Sequence, residues 1–124
     1  MKRQGKILIV DDEANFTKLL EAFLKQRGYQ TATATEGKQV FGMIERFSPD
    51  LILLDLGLPD IPGDVLALRI KSQNGNIPIL ALTGHGDPLT EATTRAVGFE
   101  DYVQKPFDAD DLIHRIERFL GELK

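Results

Sequence analysis

Acidic side chains stand directly after two strongly apolar runs of the chain. Asp11 and Asp12 follow the run at residues 7–10, and Asp55 follows the run at 51–54. Short continuous apolar runs of this kind are typical of strands buried on both faces of a parallel sheet. Ligands of such sheets bind outside the carboxyl ends of the strands, so these carboxylates are expected to meet in one crevice.

Three carboxylates in one crevice repel one another, each close pair by roughly 4 kcal/mol at 4 Å. A cation is therefore expected among Asp11, Asp12 and Asp55. The chain has no cysteine and the cluster has no histidine, so Zn²⁺ would lack its usual ligands. Oxygen ligands favour Mg²⁺, which keeps several waters and leaves room for a phosphate oxygen. Mn²⁺ is the expected substitute.

Two further candidates end the remaining strand-like segments on this side. Thr83 follows the apolar run at 79–82, and Lys105 follows Tyr102-Val103. A hydroxyl and a flexible ammonium can both donate to phosphoryl oxygens. Carboxylate, cation, ammonium and hydroxyl together are the parts needed to transfer a phosphoryl group to an aspartate.

The elements that position these residues alternate between two periodicities. The runs at 7–10, 51–54 and 79–82 predict central strands, whereas the weaker segments at 31–34 and 102–103 predict edge strands. Between the strands, apolar residues recur at the helical spacing i, i+3, i+4. Five helices are predicted, marked by Phe16, Leu19, Leu20, Phe23 and Leu24 with a stop at Gly28; Val40, Ile44 and Phe47; Leu66 and Ile70; Asp87-Pro88 to Gly98; and either Leu112 or Ile113, with Ile116 and Leu120, after Asp108.

A strand and a helix repeated five times predict the α/β class, with right-handed crossovers in a doubly wound sheet. With the weak strands at the edges, the expected strand order is 2-1-3-4-5 in a five-stranded parallel sheet. Helices on both faces make this a flavodoxin-like three-layer sandwich. We expect residues 1–124 to form one domain with a core from about 6 to 120.

The order and spacing of these elements resemble the response-regulator receiver family from Lys6 to about Leu120. Each element by itself has little specificity, but the joint pattern is highly specific. The matching residues are Asp11-Asp12, Asp55 with Pro59 four positions later, Thr83, and Tyr102-Val103-Gln104-Lys105-Pro106-Phe107.

The resemblance implies that Asp55 accepts a phosphoryl group from a histidine kinase, a phosphotransfer protein or a small phosphodonor. Asp12, Asp55 and the backbone carbonyl of Gly57 would bind Mg²⁺ directly, while Asp11 would help through water. Two other residues, Thr83 and Lys105, would hold phosphoryl oxygens. Tyr102 would move inward with Thr83, and the Lys105-Pro106 bond would be cis.

The signal would reach a downstream output domain or protein through the surface of the fourth helix, fifth strand and fifth helix. A phosphorylation-linked dimer is a further expectation.

Three positions depart from the family pattern. Gly57 has no side chain, and His85 is an unusual occupant two residues after Thr83; both positions tune dephosphorylation in this family. A plain loop role for His85 is an equally good interpretation. Pro62 stands where the family often has an acidic or polar residue. We expect this proline to stiffen the loop.

Simpler interpretations exist for the individual residues. Asp11 or Asp12 could cap the first helix, Asp55 and Thr83 could be ordinary strand ends, Lys105 could be solvated, and Tyr102 could be a static edge aromatic.

Two alternatives exist for the whole chain: a receiver-like module that binds partners without phosphorylation, and a Mg²⁺-dependent phosphatase for small molecules. The phosphatase is disfavoured because no carboxylate stands two residues after Asp55 and no insertion could form a substrate cap.

Charge and hydropathy limit the classes of partner that this chain is expected to bind. The formal net charge of −4 argues against direct nucleic-acid binding, which needs clustered basic residues. No apolar run approaches the roughly 20 residues that span a bilayer, so we expect a cytoplasmic protein without membrane contact. We also expect a regulatory phosphoacceptor that catalyses its own phosphotransfer and dephosphorylation, rather than an enzyme with small-molecule turnover.

Overall fold

The computed structural model describes residues 5–84 and 96–121. Five parallel strands form one sheet in the order β2-β1-β3-β4-β5, as the strand pattern predicted. The strands are β1 (Lys6–Val10), β2 (Gln30–Ala34), β3 (Leu51–Asp55), β4 (Ile79–Thr83) and β5 (Asp101–Gln104). None of the described helices is both long and apolar enough to cross a membrane.

The three central strands are apolar throughout because both of their faces are covered. Alternate side chains of a strand point to opposite faces, so Ile7 and Ile9 join one core layer while Leu8 and Val10 join the other. Strands β3 and β4 divide in the same way. The result is a doubly wound, flavodoxin-like sandwich with one hydrophobic layer on each side of the sheet.

Four helices are described over their full length, two on each face. They are α1 (Ala14–Gln26), α2 (Val40–Phe47) after a 3-10 turn at Gly37–Gln39, α3 (Gly63–Gln73) and α4 (Ala109–Leu120). Helices α1 and α4 cover one core layer, and α2 and α3 cover the other. Leu19, which belongs to the apolar pattern of α1, points away from the sheet and is 74% exposed.

The helix ends follow the predicted signals. Gly28 adopts a positive φ of 95° after α1, a conformation that glycine reaches without strain. Asp108 caps α4 by accepting a hydrogen bond from the Asp110 N–H at 3.2 Å. The predicted start of a helix at Asp87-Pro88 lies outside the described residues; residues 96 and 97 are helical, and Gly98 follows with φ 100°.

Candidate functional site

Three aspartates meet at the carboxyl ends of the neighbouring strands β1 and β3. One carboxylate oxygen from each of Asp11, Asp12 and Asp55 lies within 4.8 Å of the other two. Asp11 is fully buried, Asp55 is 8% exposed, and Asp12 is exposed to solvent. The strand order therefore brings together the carboxylates that the sequence placed 43 and 44 positions apart, as expected for strands β1 and β3 paired in register.

Backbone amides fix the two buried carboxylates. Asp11 Oδ1 accepts a hydrogen bond from the Glu13 N–H at 2.9 Å, and Asp55 Oδ1 accepts one from the Gly57 N–H at 3.2 Å. The N-cap of α1 is Glu13, and no side-chain cap bond is made there. Neither Asp11 nor Asp12 therefore acts as the helix cap that the simpler interpretation assigned to them.

Lys105 brings a positive charge to this cluster from the end of β5. Its Nζ lies 2.7 Å from Asp11 Oδ2 and 3.6 Å from Glu13 Oε1. The Lys105 N–H donates to the carbonyl of Thr83 at 2.8 Å, which joins the loop after β5 to the end of β4. Thr83 is buried, and the peptide bond between Lys105 and Pro106 is cis, as the resemblance implied.

The crowding of charge is visible in the pKa values. Burial raises the pKa of Asp55 above its ordinary value, and the negative charges of Asp11 and Asp12 raise it further. The Gly57 N–H and the Lys105 ammonium lower this pKa, but they do not cancel the other effects. Burial lowers the pKa of Lys105, but the hydrogen bond and charge of Asp11, together with the charges of Asp55 and Glu13, raise it, and the net shift is upward.

The loop after Asp55 is built around two glycines with different surroundings. Among the described residues, a Cβ atom at Gly57 would meet only Asp55 Oδ1, at 3.9 Å. At Gly63, a Cβ atom would lie 2.6 Å from the Leu56 Cα and 3.1 Å from the Asp55 carbonyl oxygen. Only glycine lets α3 begin this close to the backbone that carries Asp55.

No pattern in the sequence indicated the role of Asp60. Its two carboxylate oxygens accept hydrogen bonds from the Gly37 N–H at 2.8 Å and the Lys38 N–H at 3.0 Å. The neighbouring Ile61 side chain packs against Gly37, where an added Cβ would approach it to 3.1 Å. The loop after β3 is thereby fastened to the 3-10 turn that follows β2.

Of the two remaining candidates, Tyr102 and His85, the structure describes only Tyr102. Tyr102 is half-buried on β5 and packs against the core layer that includes Phe99 and Ala81. Its inward movement stays a prediction. His85 lies outside the described residues.

The donor set fits a hard divalent cation. Three carboxylates and one ammonium leave a net charge of two negative units in a largely buried site. The three aspartates offer only oxygen atoms as ligands to an ion. Mg²⁺ and Mn²⁺ prefer such ligands, whereas softer metals prefer sulfur or imidazole. Asp11, Asp12 and Asp55 are therefore the residues that could hold such an ion.

Comparison with known proteins agrees with this geometry. A family model described as "Response regulator receiver domain" matches residues 7–117. The chain is 37% identical over 123 residues to the "Probable transcriptional regulator ycf27" of Cyanidium caldarium, covering 99% of this chain and 49% of that protein. A second protein of that name, from Guillardia theta, is 35% identical over 120 residues, covering 97% of this chain and 47% of that protein. The chain thus spans about half the length of these relatives.

Solved structures show the same likeness. The receiver domain of NtrX from Brucella abortus superposes with a TM-score of 0.84 at 34% identity, covering 92% of this chain and 97% of that one. A CheY-like response regulator receiver domain protein from Methanospirillum hungatei JF-1 gives 0.87 at 25% identity, covering 95% and 94%. The chain belongs to the response regulator receiver domain family of two-component signalling.

Proposed function

We propose that this receiver domain is a Mg²⁺-dependent switch that carries its phosphoryl group on Asp55. The observation that carries the proposal is the meeting of the Asp55 carboxylate with those of Asp11 and Asp12 within 4.8 Å, next to the Lys105 ammonium. Asp55, like Asp11, is held by a backbone N–H, and among the described residues only its own Oδ1 lies within 4 Å of a Cβ placed at Gly57. A donor could approach the carboxylate from that side.

In this proposal, an Asp55 carboxylate oxygen attacks the phosphorus of a phosphohistidine or an acyl phosphate. The new O–P bond forms as the bond to the donor's imidazole nitrogen or acyl oxygen breaks, and the donor leaves with that electron pair. Asp12, Asp55 and the Gly57 carbonyl would hold Mg²⁺, with Asp11 acting through water. The bound ion would neutralise negative charge on the carboxylates and the phosphoryl oxygens.

The residues at the ends of β4 and β5 would then respond to the new charge. Lys105 would exchange its contact with Asp11 for one with a phosphoryl oxygen, and the Thr83 hydroxyl would donate to another. Tyr102 would follow Thr83, and His85 and Gly57 would set the rate of dephosphorylation. The change would reach the surface of the predicted fourth helix, β5 and the last helix, α4. The Arg115–Asp101 ion pair joins β5 to α4 at 2.8 Å.

Partners follow from the same chemistry. We propose a histidine kinase or phosphotransfer protein as donor, in the cytoplasm, and an output domain or separate protein as receiver of the signal. Because relatives about twice as long are called transcriptional regulators, control of transcription is the proposed output. Residues 1–124 would act as one domain that autocatalyses its phosphorylation and does not turn over small molecules. A dimer formed on phosphorylation remains part of the proposal.

The test is to incubate the chain with Mg²⁺ and acetyl phosphate and to follow intact mass. We expect one labile phosphoryl adduct that hydroxylamine removes and that does not form in EDTA. Asp55→Asn should abolish the adduct, whereas Asp64→Asn, which changes an exposed aspartate of α3, should leave it unchanged. Equal labelling of wild type and Asp55→Asn would overturn the assignment. Folded but unlabelled wild type would favour a phosphorylation-independent binding module.

A further inference from the structure

An aromatic pair lies beside the Lys105 ammonium. Lys105 Nζ lies 4.3 Å from the centre of the Phe16 ring, well within the range of a cation–π contact. The Phe107 ring packs edge-to-face against Phe16, with ring centres 5.9 Å apart and planes at 84°. Phe16 comes from α1 and Phe107 from the loop after β5, so the pair joins the two segments that carry Asp11 and Lys105.

Lys105 thus has two kinds of partner. One kind consists of carboxylates, Asp11 at 2.7 Å and Glu13 at 3.6 Å. The other is the neutral face of Phe16. If Asp11 serves the cation and Lys105 turns to a phosphoryl oxygen, the carboxylate contacts are weakened at the moment when the ammonium must be held. The contact with the ring carries no net charge, so it does not compete with the phosphoryl group for the cation.

The stem of a lysine is flexible, and holding its end in one place costs conformational entropy. A half-buried ring beneath the ammonium restricts the positions that the side chain samples. The Lys105 side chain is only 18% exposed, which agrees with such restriction. The ring would therefore raise the fraction of molecules in which the ammonium stands ready at the crevice.

We propose that Phe16 is a positioning residue that holds the Lys105 ammonium at the crevice while its partner changes from Asp11 to a phosphoryl oxygen. This inference rests on the proposed function, because it concerns the group that would bind the phosphoryl oxygens. It adds a residue that the apolar pattern had assigned only to the core side of α1.

The test compares Phe16→Leu with Phe16→Tyr and with a matched control on the same helix. Leu keeps an apolar side chain but removes the ring face, while Tyr keeps the face. Phe23→Leu removes another cation–π contact of α1, the one with Arg27 at 5.1 Å. Neither residue is one of those placed at the crevice above. Initial phosphorylation rates would be measured against acetyl phosphate concentration, with Mg²⁺ affinity measured separately.

We expect Phe16→Leu to raise the half-saturating acetyl phosphate concentration about three- to fivefold, the effect of losing one partly exposed cation–π contact. Mg²⁺ affinity should not change, and Phe16→Tyr and Phe23→Leu should match the wild type. The inference fails if Phe16→Leu matches the wild type, if Mg²⁺ affinity falls in parallel, or if Phe23→Leu has the same effect. A wild type that takes no phosphoryl group would instead overturn the proposed function itself.

Discussion

Lys105 and Asp11, which stand 94 positions apart in the sequence, form the shortest described ion pair of the crevice, with Nζ 2.7 Å from Oδ2. Asp11 is fully buried, whereas the Lys105 side chain keeps 18% of its surface exposed. A buried carboxylate without a compensating charge is costly. Lys105 therefore stabilises the fold as well as serving the proposed chemistry, and the two roles can be separated with Mg²⁺.

Lys105→Met should destabilise the protein in EDTA by about 1–3 kcal/mol, because it leaves the buried Asp11 carboxylate without its cation. Saturating Mg²⁺ should restore much of this loss, since the ion supplies the missing positive charge. Urea unfolding with and without Mg²⁺ measures both quantities. Equal destabilisation in the two conditions would show that the ion does not neutralise Asp11.

Asp55→Asn should stabilise the metal-free protein at neutral pH. The pKa of Asp55 is raised in the folded state, so its contribution to stability is fully present below the unfolded value near 3.8 and is lost as pH rises through the folded value. The neutral amide avoids this loss and should raise Tm by roughly 2–5 °C at pH 7.5 in EDTA. Below about pH 4 the difference should shrink.

Circular dichroism melts across this pH range would check the effect, with Asp64→Asn as the exposed-aspartate control. A lower Tm for Asp55→Asn at pH 7.5 would contradict the idea that crowding and burial oppose the ionised form.

Mg²⁺ should raise the free energy of unfolding of the wild type by about 1.4 kcal/mol for each tenfold increase above its Kd. Asp12→Asn should weaken Mg²⁺ binding at least about tenfold, because it removes a carboxylate of the cluster. Glu13→Gln is the matched control, since Glu13 is an adjacent exposed carboxylate that is not one of the three clustered acids. Titration calorimetry would compare the variants, and equal loss in both would point to general electrostatics rather than ligation.

Gly63→Ala should destabilise the fold by about 1–3 kcal/mol, because its Cβ would lie 2.6 Å from the Leu56 Cα, a backbone atom. Gly42→Ala offers the contrasting control within α2. There the nearest atom, 3.5 Å away, is the end of the flexible Arg46 side chain, so alanine should stabilise by about 0.5–1 kcal/mol. Denaturant unfolding would separate the two. Similar effects at both positions would contradict the close approach at Gly63.

The sheet could be predicted because the central strands are buried on both faces, which leaves the unbroken apolar run 51–54 in the sequence. The crevice could be predicted because Asp11 and Asp55 end strands, and strand ends in a parallel sheet share one edge. The apolar periodicity predicted the buried face of α1 less completely. Leu19 fits the apolar pattern of α1 but lies on its exposed side, since the spacing of apolar residues alone does not fix where the buried stripe ends.

Contacts between distant loops could not be predicted in this way. Asp60 stands in a polar turn, where an acidic residue is ordinary, and nothing in its neighbourhood indicates that it meets Gly37. Phe16 fits the helix pattern equally well with or without Lys105 on its ring. Both contacts depend on how the strand ends are brought side by side, and that arrangement arises only after the chain has folded.

The hydrogen bonds of Asp60 make two separate segments behave as one cooperative unit. The carboxylate joins positions 23 and 22 residues apart, so the loop that carries Gly57 and the turn at Gly37–Gln39 should open together in hydrogen exchange. These N–H groups lower the pKa of Asp60, so the joint persists above the unfolded value near 3.8 and is lost as pH falls through the folded value. The loop at the edge of the acidic crevice is thus held in place by an aspartate that is not one of the three clustered carboxylates.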